Sequence, residues 1–482
     1  MDEIDWKAPQ ADKGVLVSPG IAQLISGAQA NHVALTQSNI MVQRRPLRHW
    51  RQRMRECLGQ TASDQLLFCS GHQAELYHPG VWIKLALIHE LSLKVAGSAL
   101  HIAVDSDEPK HLQLRWPGGG VTLTDANGAA SWAARLASPT TEHLHSVSVE
   151  LQTASRDWDF EPIAPEFLRL LKAENHRNLP AAIAYAMQKL DRTLGLSYHL
   201  NMTEPIWSAE PYLAFVLHLL SHADEFANHY NHALAEYRQE QGIRSPGRPM
   251  PDLRCDANEI EMPFWLDELT TGRRTRLSVA KRQGSFRLMH GDADIELHSA
   301  LPTNALAGFC ASQNIRLAPR ALTLTMFIRL IVCDQWIHGI GGARYDQVTD
   351  RIIYNFFQKK PPTFGVATAT LYFPSAHSRQ RTDLAALKHL GHQLKHRSLG
   401  RTKDAYLKEI SAAPRRSARR IELFAEMHRA MDQTESAALA EWNGQWHHAL
   451  REFEKDRLVF DRELFYALQS RTRLLELKNS LA

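Results

Sequence analysis

The period of the apolar positions changes several times along the chain, and each change predicts an element. Leu66-Leu67-Phe68-Cys69 is a short apolar run that predicts a strand. It breaks at Ser70-Gly71 into a polar stretch carrying His72, Gln73, Glu75 and His78, which Pro79-Gly80 closes. Trp82, Ile83, Leu85, Ala86, Ile88 and Leu91 then fall at mostly helical spacing. A second apolar run, Ala99–Val104, ends in Asp105-Ser106-Asp107-Glu108. Strand, glycine turn, helix and strand predict a βαβ unit. Its loop lies at the carboxyl end of the first strand, with the amino end of the helix aimed at it.

Elsewhere the pattern is more mixed. Arg44–Leu58 predicts a helix with a dense basic face, either a solvated face or an anion-binding or partner surface. His111–Trp116 and Val121–Thr124 alternate around Gly118-Gly119-Gly120, which predicts a hairpin. Residues 126–160 read as a polar, loop-rich stretch, and Ile163–Gln241 as helical. After the proline-rich connector 245–253 the period becomes two, predicting a small antiparallel β insertion over 255–300. The core is expected to resume near 301. Ala318-Pro319-Arg320 then reads as the opening of an apolar helix. Gln335–Gly342 reads as a strand running into glycines, Val348–Phe357 as a helix and Thr363–Phe373 as a strand. Beyond Pro374 the apolar residues Leu439, Trp442, Trp446, Leu450, Phe453, Phe460, Leu464 and Leu468 form a heptad-like seam. A long helical hairpin that packs on itself or on a second subunit follows from it. The expected fold class is α/β, with a parallel-sheet core over 1–376 interrupted by a helical insertion (161–245) and the β insertion. A C-terminal helical region over 377–482 completes it.

Composition narrows the function classes. At 482 residues and a net charge of +4 the chain is nearly balanced, which gives no ground for nucleic-acid binding. Its five cysteines form no C-x-x-C pair, as expected of reduced thiols in a cytoplasm. The N-terminus is acidic and polar, unlike a signal peptide, and no apolar run reaches the ~18 residues of a membrane helix. A cytoplasmic protein with a small-molecule substrate, and with neither nucleic acid nor membrane as partner, is the expectation.

Three polar clusters carry the candidate chemistry. Backbone amides at Gly71–Gln73, or at Gly339–Gly342, are suited to hold a phosphate or carboxylate. Asp105, Asp107 and Glu108 are suited to an amino group, ribose hydroxyls or a metal. Each cluster also has a purely structural reading, as a tight turn or a helix cap. Together they stand at the ends of three expected core strands, and such ends converge on one crevice in a parallel sheet. His72, His78 and His111 match no zinc spacing, so no metal is expected. Cys69 reads as a small buried residue of its strand, without a basic neighbour in sequence to activate it.

In this layout the chain resembles the bacillithiol biosynthesis cysteine-adding enzyme family, the cysteine ligases. The family's G-Q-Q-A-G type loop and Gly-Pro correspond to Gly71-His72-Gln73-Ala74-Glu75 and Pro79-Gly80. Its acidic, histidine-containing run corresponds to Asp105–Glu108 and His111, its Pro-Arg to Pro319-Arg320, and its glycine-rich loop to Gly339–Tyr345. The resemblance implies a Rossmann-like core and a C-terminal coiled coil that forms a homodimer. It also implies a ligase joining an amino acid, cysteine in the family, to an amino-group acceptor such as an amino sugar. The carboxylate would be activated by ATP or another nucleotide, although the chain has no Walker loop. His72, Asp105, Asp107 and Glu108 are then the catalytic candidates. Gly71, Gln73, His78, Lys84, His111 and Arg320 are the first set of binding candidates. His338, Gly339, Gly341, Gly342, Arg344, Tyr345 and Asp346 are the second. His72, Gln73, Asp105, Asp107, Arg320, His338 and Arg344 are expected to line one cleft. The alternative is a catalytically silent metabolite- or nucleotide-binding protein that uses the coiled coil as a scaffold.

Overall fold

A computed structural model describes residues 6–60, 65–108, 110–124, 132–174, 176, 178–282, 284–290, 293–378, 384–433 and 436–481. In it the first apolar run becomes β2, and the order of elements shows why that strand is central. β1 (Gly14–Ser18) leads into α1 (Ile21–Thr36) and α2 (Leu47–Cys57). β2 (Leu67–Gln73), α3 (Pro79–Lys94) and β3 (Ser98–Val104) form the expected βαβ unit. After a helical stretch that includes α4 (Leu179–Thr193) comes β4 (His199–Met202). A second sheet holds β5 (Ile260–Glu268), β6 (Arg274–Arg282), β7 (Ser285–His290), β8 (Ala293–His298) and β9 (Ile315–Pro319). Then follow α5 (Ala321–Phe327), β10 (Gln335–His338), α6 (Ile340–Phe357) and β11 (Phe364–Thr370).

The main sheet has six strands in the order β1-β11-β10-β2-β3-β4. All neighbours are parallel except β1 against β11. The crossover from β2 through α3 steps to β3 on one side, and that from β10 through α6 steps to β11 on the other. The order therefore reverses between β2 and β10. At such a switch point the two following connections diverge and leave a crevice at the carboxyl ends of the strands. The second sheet is antiparallel, in the order β8-β7-β6-β5-β9.

The chain divides into two units. The first comprises Met1–Leu114, Gly120–Leu371 and Arg462–Ala482; the second comprises Arg115–Gly119 and Tyr372–Asp461. The second unit is built on α7 (Leu384–Ser398), α8 (Gly400–Ala412), α9 (Ala418–Gln433) and α10 (Ala437–Asp456). Within it the Trp442 indole donates to the Leu387 carbonyl at 2.8 Å, so α7 meets the tryptophan side of α10. No described helix is long and apolar enough to cross a membrane.

Several expectations change. Gly71–Gln73 is strand rather than loop, because β3 continues alongside and pairs Gly71 with Ile102 and Gln73 with Val104. Ala318 and Pro319 close β9 instead of opening a helix. β9 pairs only with β5, and an edge strand tolerates proline. The main sheet accordingly resumes at Gln335, not near 301. The polar stretch 126–160 contains a helix, Thr141–Ser155, that buries Leu144, Val147 and Leu151; residues 125–131 lie outside the described residues. The C-terminal seam ends with α10 at Asp456, and Leu464 and Leu468 are buried in the first unit instead.

Candidate functional site

Lys84 lies in the second turn of α3 and is 3% exposed. Its ammonium donates to the Gly71 carbonyl at 2.8 Å, where β2 approaches its carboxyl end. Among the described residues no carboxylate pairs with it. Burial alone moves its amine down to about 7, because a cation stripped of water and left without a counter-ion is destabilised.

Four imidazoles surround this amine. Burial, with the Lys84 charge adding to it, lowers His72 well below the usual histidine range. His78 is lowered to about 3 by burial, then by Arg462 and Lys84. His101 also falls to about 3, by burial and then Lys84. His338 is lowered by burial even though Asp346 pulls the other way. All four are neutral near pH 7. Nδ1 of His72 faces the Gln73 carbonyl at 3.2 Å; a carbonyl only accepts, so Nδ1 carries the proton and Nε2 is a bare acceptor.

Close packing explains the glycines. A Cβ on Gly71 would lie 2.7 Å from the Trp336 ring. One on Gly80 would lie 2.5 Å from an Arg462 nitrogen and 2.7 Å from both the His78 ring and the Thr368 hydroxyl. His78 caps α3, accepting the Gly80 N–H at 3.1 Å, and Pro79 takes the first helical position, where its missing N–H costs nothing. Arg462 donates to Thr368 Oγ1 at 2.7 Å and to the Ala369 carbonyl at 2.8 Å, bringing a guanidinium to the same edge as the Lys84 amine.

Beside the lysine runs an aromatic wall. His72, Tyr77, His101 and Tyr198 meet edge to face in sequence, and Tyr77 stacks on Tyr466 at 5.6 Å. Asp191 of α4 accepts from Trp82 at 2.9 Å, Tyr198 at 2.6 Å and Tyr466 at 2.9 Å. Burial raises this carboxyl to about 6 against the pull of those donors. On the other flank, Trp336 Nε1 donates to His338 Nδ1 at 3.1 Å, so Nε2–H of His338 donates to Asp346 at 2.7 Å. Asp346 also takes Arg329 at 2.6 Å and Thr325 at 2.8 Å. Burial works against its ionisation, but Arg329 and His338 hold it well below the usual carboxylate range.

The structure brings Gly71, His72, His78, Lys84 and His338 together. Gln73 adjoins them and donates to Asp107 at 3.0 Å. Asp105 is buried and accepts the Thr203 hydroxyl at 2.6 Å; burial lifts its carboxyl to about 6. Glu108 is exposed. His111 is exposed too, and its backbone N–H donates to Glu75 at 3.0 Å. Gly339 caps α6, and Gly341 and Gly342 form its exposed first turn. A Cβ on Gly342 would lie 2.8 Å from His338 Nδ1. Asp346 is committed to its internal network. Tyr345 is exposed, and Arg344 donates to the Trp6 carbonyl at 3.0 Å. Arg320 sits apart, between the end of β9 and the start of α5, bound to Glu261 at 2.7 Å. Sequence reasoning missed Tyr77, His101, Asp191, Tyr198, Arg462 and Tyr466. His101 left a signal, as a lone polar residue inside an apolar strand; the others left none. Among the described residues no three His, Cys, Asp or Glu side chains are grouped to hold a metal.

The result is a site whose buried amine has no carboxylate partner among the described residues. Its carboxylates, Asp191 and Asp346, are already satisfied, while Lys84 and four neutral imidazoles face the carboxyl edge. Such a set favours a negatively charged group. Compared with protein-family models and with curated proteins, the chain matches none.

Proposed function

We propose that the chain binds an anionic small molecule, through a carboxylate or phosphate, at the carboxyl edge of a Rossmann-like core, and that it is a carbon–nitrogen ligase of the kind its resemblance implies. One observation carries the reading: a buried lysine without a counter-ion among the described residues, placed at the switch point of a largely parallel sheet. An arriving anion supplies the missing charge and restores the proton to Lys84. In a ligase that charge stabilises the oxyanion formed when an amine attacks the activated carboxyl. Neutral His72 then serves as the acceptor of an amine N–H through Nε2. The first turn of α6, at Gly339–Gly342, offers amides to a nucleotide phosphate. Cysteine as donor, an amino sugar as acceptor and ATP as activator are the substrates the resemblance implies.

The test uses calorimetry with inorganic phosphate and a panel of carboxylates, in two buffers of different ionisation enthalpy at pH 8. Binding at Lys84 takes up about one proton per ligand, since the free amine is mostly neutral there. Binding without proton uptake, or binding unchanged in Lys84→Met, rejects the site. Supplying cysteine, ATP and an amino sugar and searching for the amide by mass spectrometry tests the ligase step separately. One observation favours a binding protein without turnover: Asp105 and Asp107 are each held in internal hydrogen bonds. Tight binding with no product would support that reading.

A further inference from the structure

The opposite, amino edge of the main sheet carries a second concentration of charge. Asp334, just before β10, accepts from Arg51 at 2.7 Å and from the backbone of Leu67 at 2.8 Å, and it faces Arg55 at 2.8 Å. One carboxylate thus serves two buried guanidiniums and leaves one positive charge over. Arg51 and Arg55 also donate to the carbonyls of Leu330 and Val332, which holds α2 against the turn that follows α5. Burial lowers Arg51 to about 10, and Arg55 adds to that, as expected where positive charge is incompletely balanced.

Beside this pair lies an open cleft of about 560 Å³, within the range of small-molecule sites. Arg45, Arg48, His49, Arg51 and Arg55 line it, with Gln60 at one end. Arg45 and Arg48 are exposed and make no ion pair among the described residues. Glu56 is the single acid of the lining, and it already pairs with Arg53 at 3.0 Å. Gln60 is 7% exposed, and its Nε2 has no hydrogen-bond partner among the described residues. A buried amide donor left unpaired beside a cleft is costly, and a ligand acceptor would satisfy it.

We propose that this cleft is a second ligand site, for a small molecule carrying two or more linked phosphates. Arg48, Arg51 and Arg55 recur at three- and four-residue steps, so their guanidiniums are spread over about 10 Å of α2. That spread matches a row of phosphates rather than one carboxylate, and guanidiniums bind phosphate oxygens in pairs. The site is separate from Lys84: on β2, Leu67 bonds Asp334 and Gly71 bonds Lys84, and the four residue steps between them span about 13 Å.

The probes are inorganic pyrophosphate, orthophosphate and ADP, titrated by calorimetry at constant ionic strength into the wild type, an Arg45→Gln/Arg48→Gln double variant and Lys84→Met. Pyrophosphate is expected to bind about ten-fold or more tighter than orthophosphate, and the double variant to lose about ten-fold in affinity. Both substituted arginines are exposed, so the melting temperature of the double variant should match the wild type. Lys84→Met should keep pyrophosphate binding. Tighter binding of ADP than of pyrophosphate would assign a nucleotide; equal binding would assign the diphosphate alone. Pyrophosphate binding no tighter than orthophosphate overturns the proposal. So does binding that survives in the double variant but is lost in Lys84→Met, which places the anion at the carboxyl edge.

Discussion

A lysine whose amine is pushed down to about 7 makes stability depend on pH in a definite direction. Between about 7 and its unfolded value of roughly 10.5, the unfolded chain binds more protons at this position than the folded chain. Stability therefore rises with pH across that window, and the contribution is lost as pH falls through about 7. Lys84→Met should abolish this rise, which is on the order of a few kcal/mol between pH 7 and pH 10. Urea unfolding of both proteins at several pH values measures it; an unchanged slope in the variant would mean that the lysine is hydrated. Arg320 behaves differently. Its side chain is 11% exposed and is bound to Glu261, itself buried, at 2.7 Å. Arg320→Ala should thus cost about 2–3 kcal/mol of stability and leave anion binding at Lys84 unaltered. Arg276, 3.5 Å from the same carboxylate, keeps the loss from being larger.

At the scale of elements, glycines mark where two pieces come closest. Gly391 of α7 faces Trp442 of α10, and an added Cβ would lie 2.2 Å from the indole. Gly391→Ala should destabilise the second unit by about 1–3 kcal/mol. Gly444, also in α10, has nothing within 4 Å of its Cβ position. Gly444→Ala should stabilise by about 0.5–1 kcal/mol, since a helical glycine loses more backbone freedom on folding than alanine. Thermal unfolding of the two variants checks the pair, and a shared direction of shift would refute the packing argument. The elements themselves were unequally legible. The βαβ unit was plain because its period switches from a buried run to a helical spacing and back. Thr141–Ser155 was hidden because only Leu144, Val147 and Leu151 mark its buried face among many polar residues. Ala318-Pro319 read as a helix start because proline suits that position, yet backbone pairing with β5 decides for strand.

For the whole molecule the open question of assembly is testable. α7 meets Trp442 within the chain, but Ile421 is 66% and Phe424 is 40% exposed on α9. Dimerisation through the C-terminal helices, the expectation carried from the sequence, is proposed to use this face. Sedimentation of the full chain should then give a dimer, and Ile421→Lys/Phe424→Lys a monomer. A monomeric wild type removes the idea, and a dimeric double variant moves the interface elsewhere. Deleting everything after Ser375 would be a poor substitute. It would also remove Tyr466, whose hydroxyl donates to the buried Asp191 at 2.9 Å in the first unit.

The order of strands and helices around Gln65–Val104 and Gln335–Phe373 was determined by the sequence itself, because hydrophobic period and glycine placement are local properties. So were the three polar clusters at the strand ends. What a polar side chain does there depends on its neighbours, and only the tertiary structure decided that. Lys84 was a binding candidate through the resemblance, but only the fold puts the Gly71 carbonyl on its amine and four imidazoles around it. Arg51 and Arg55 belonged to a basic face read either as solvated or as an anion-binding or partner surface, until Asp334, nearly 280 residues away, took them both. Arg320 and Asp346 looked available for ligand until Glu261 and Arg329 were found to hold them. Burial and ion pairing join residues distant in the chain, and no local pattern encodes which partner each charge will meet.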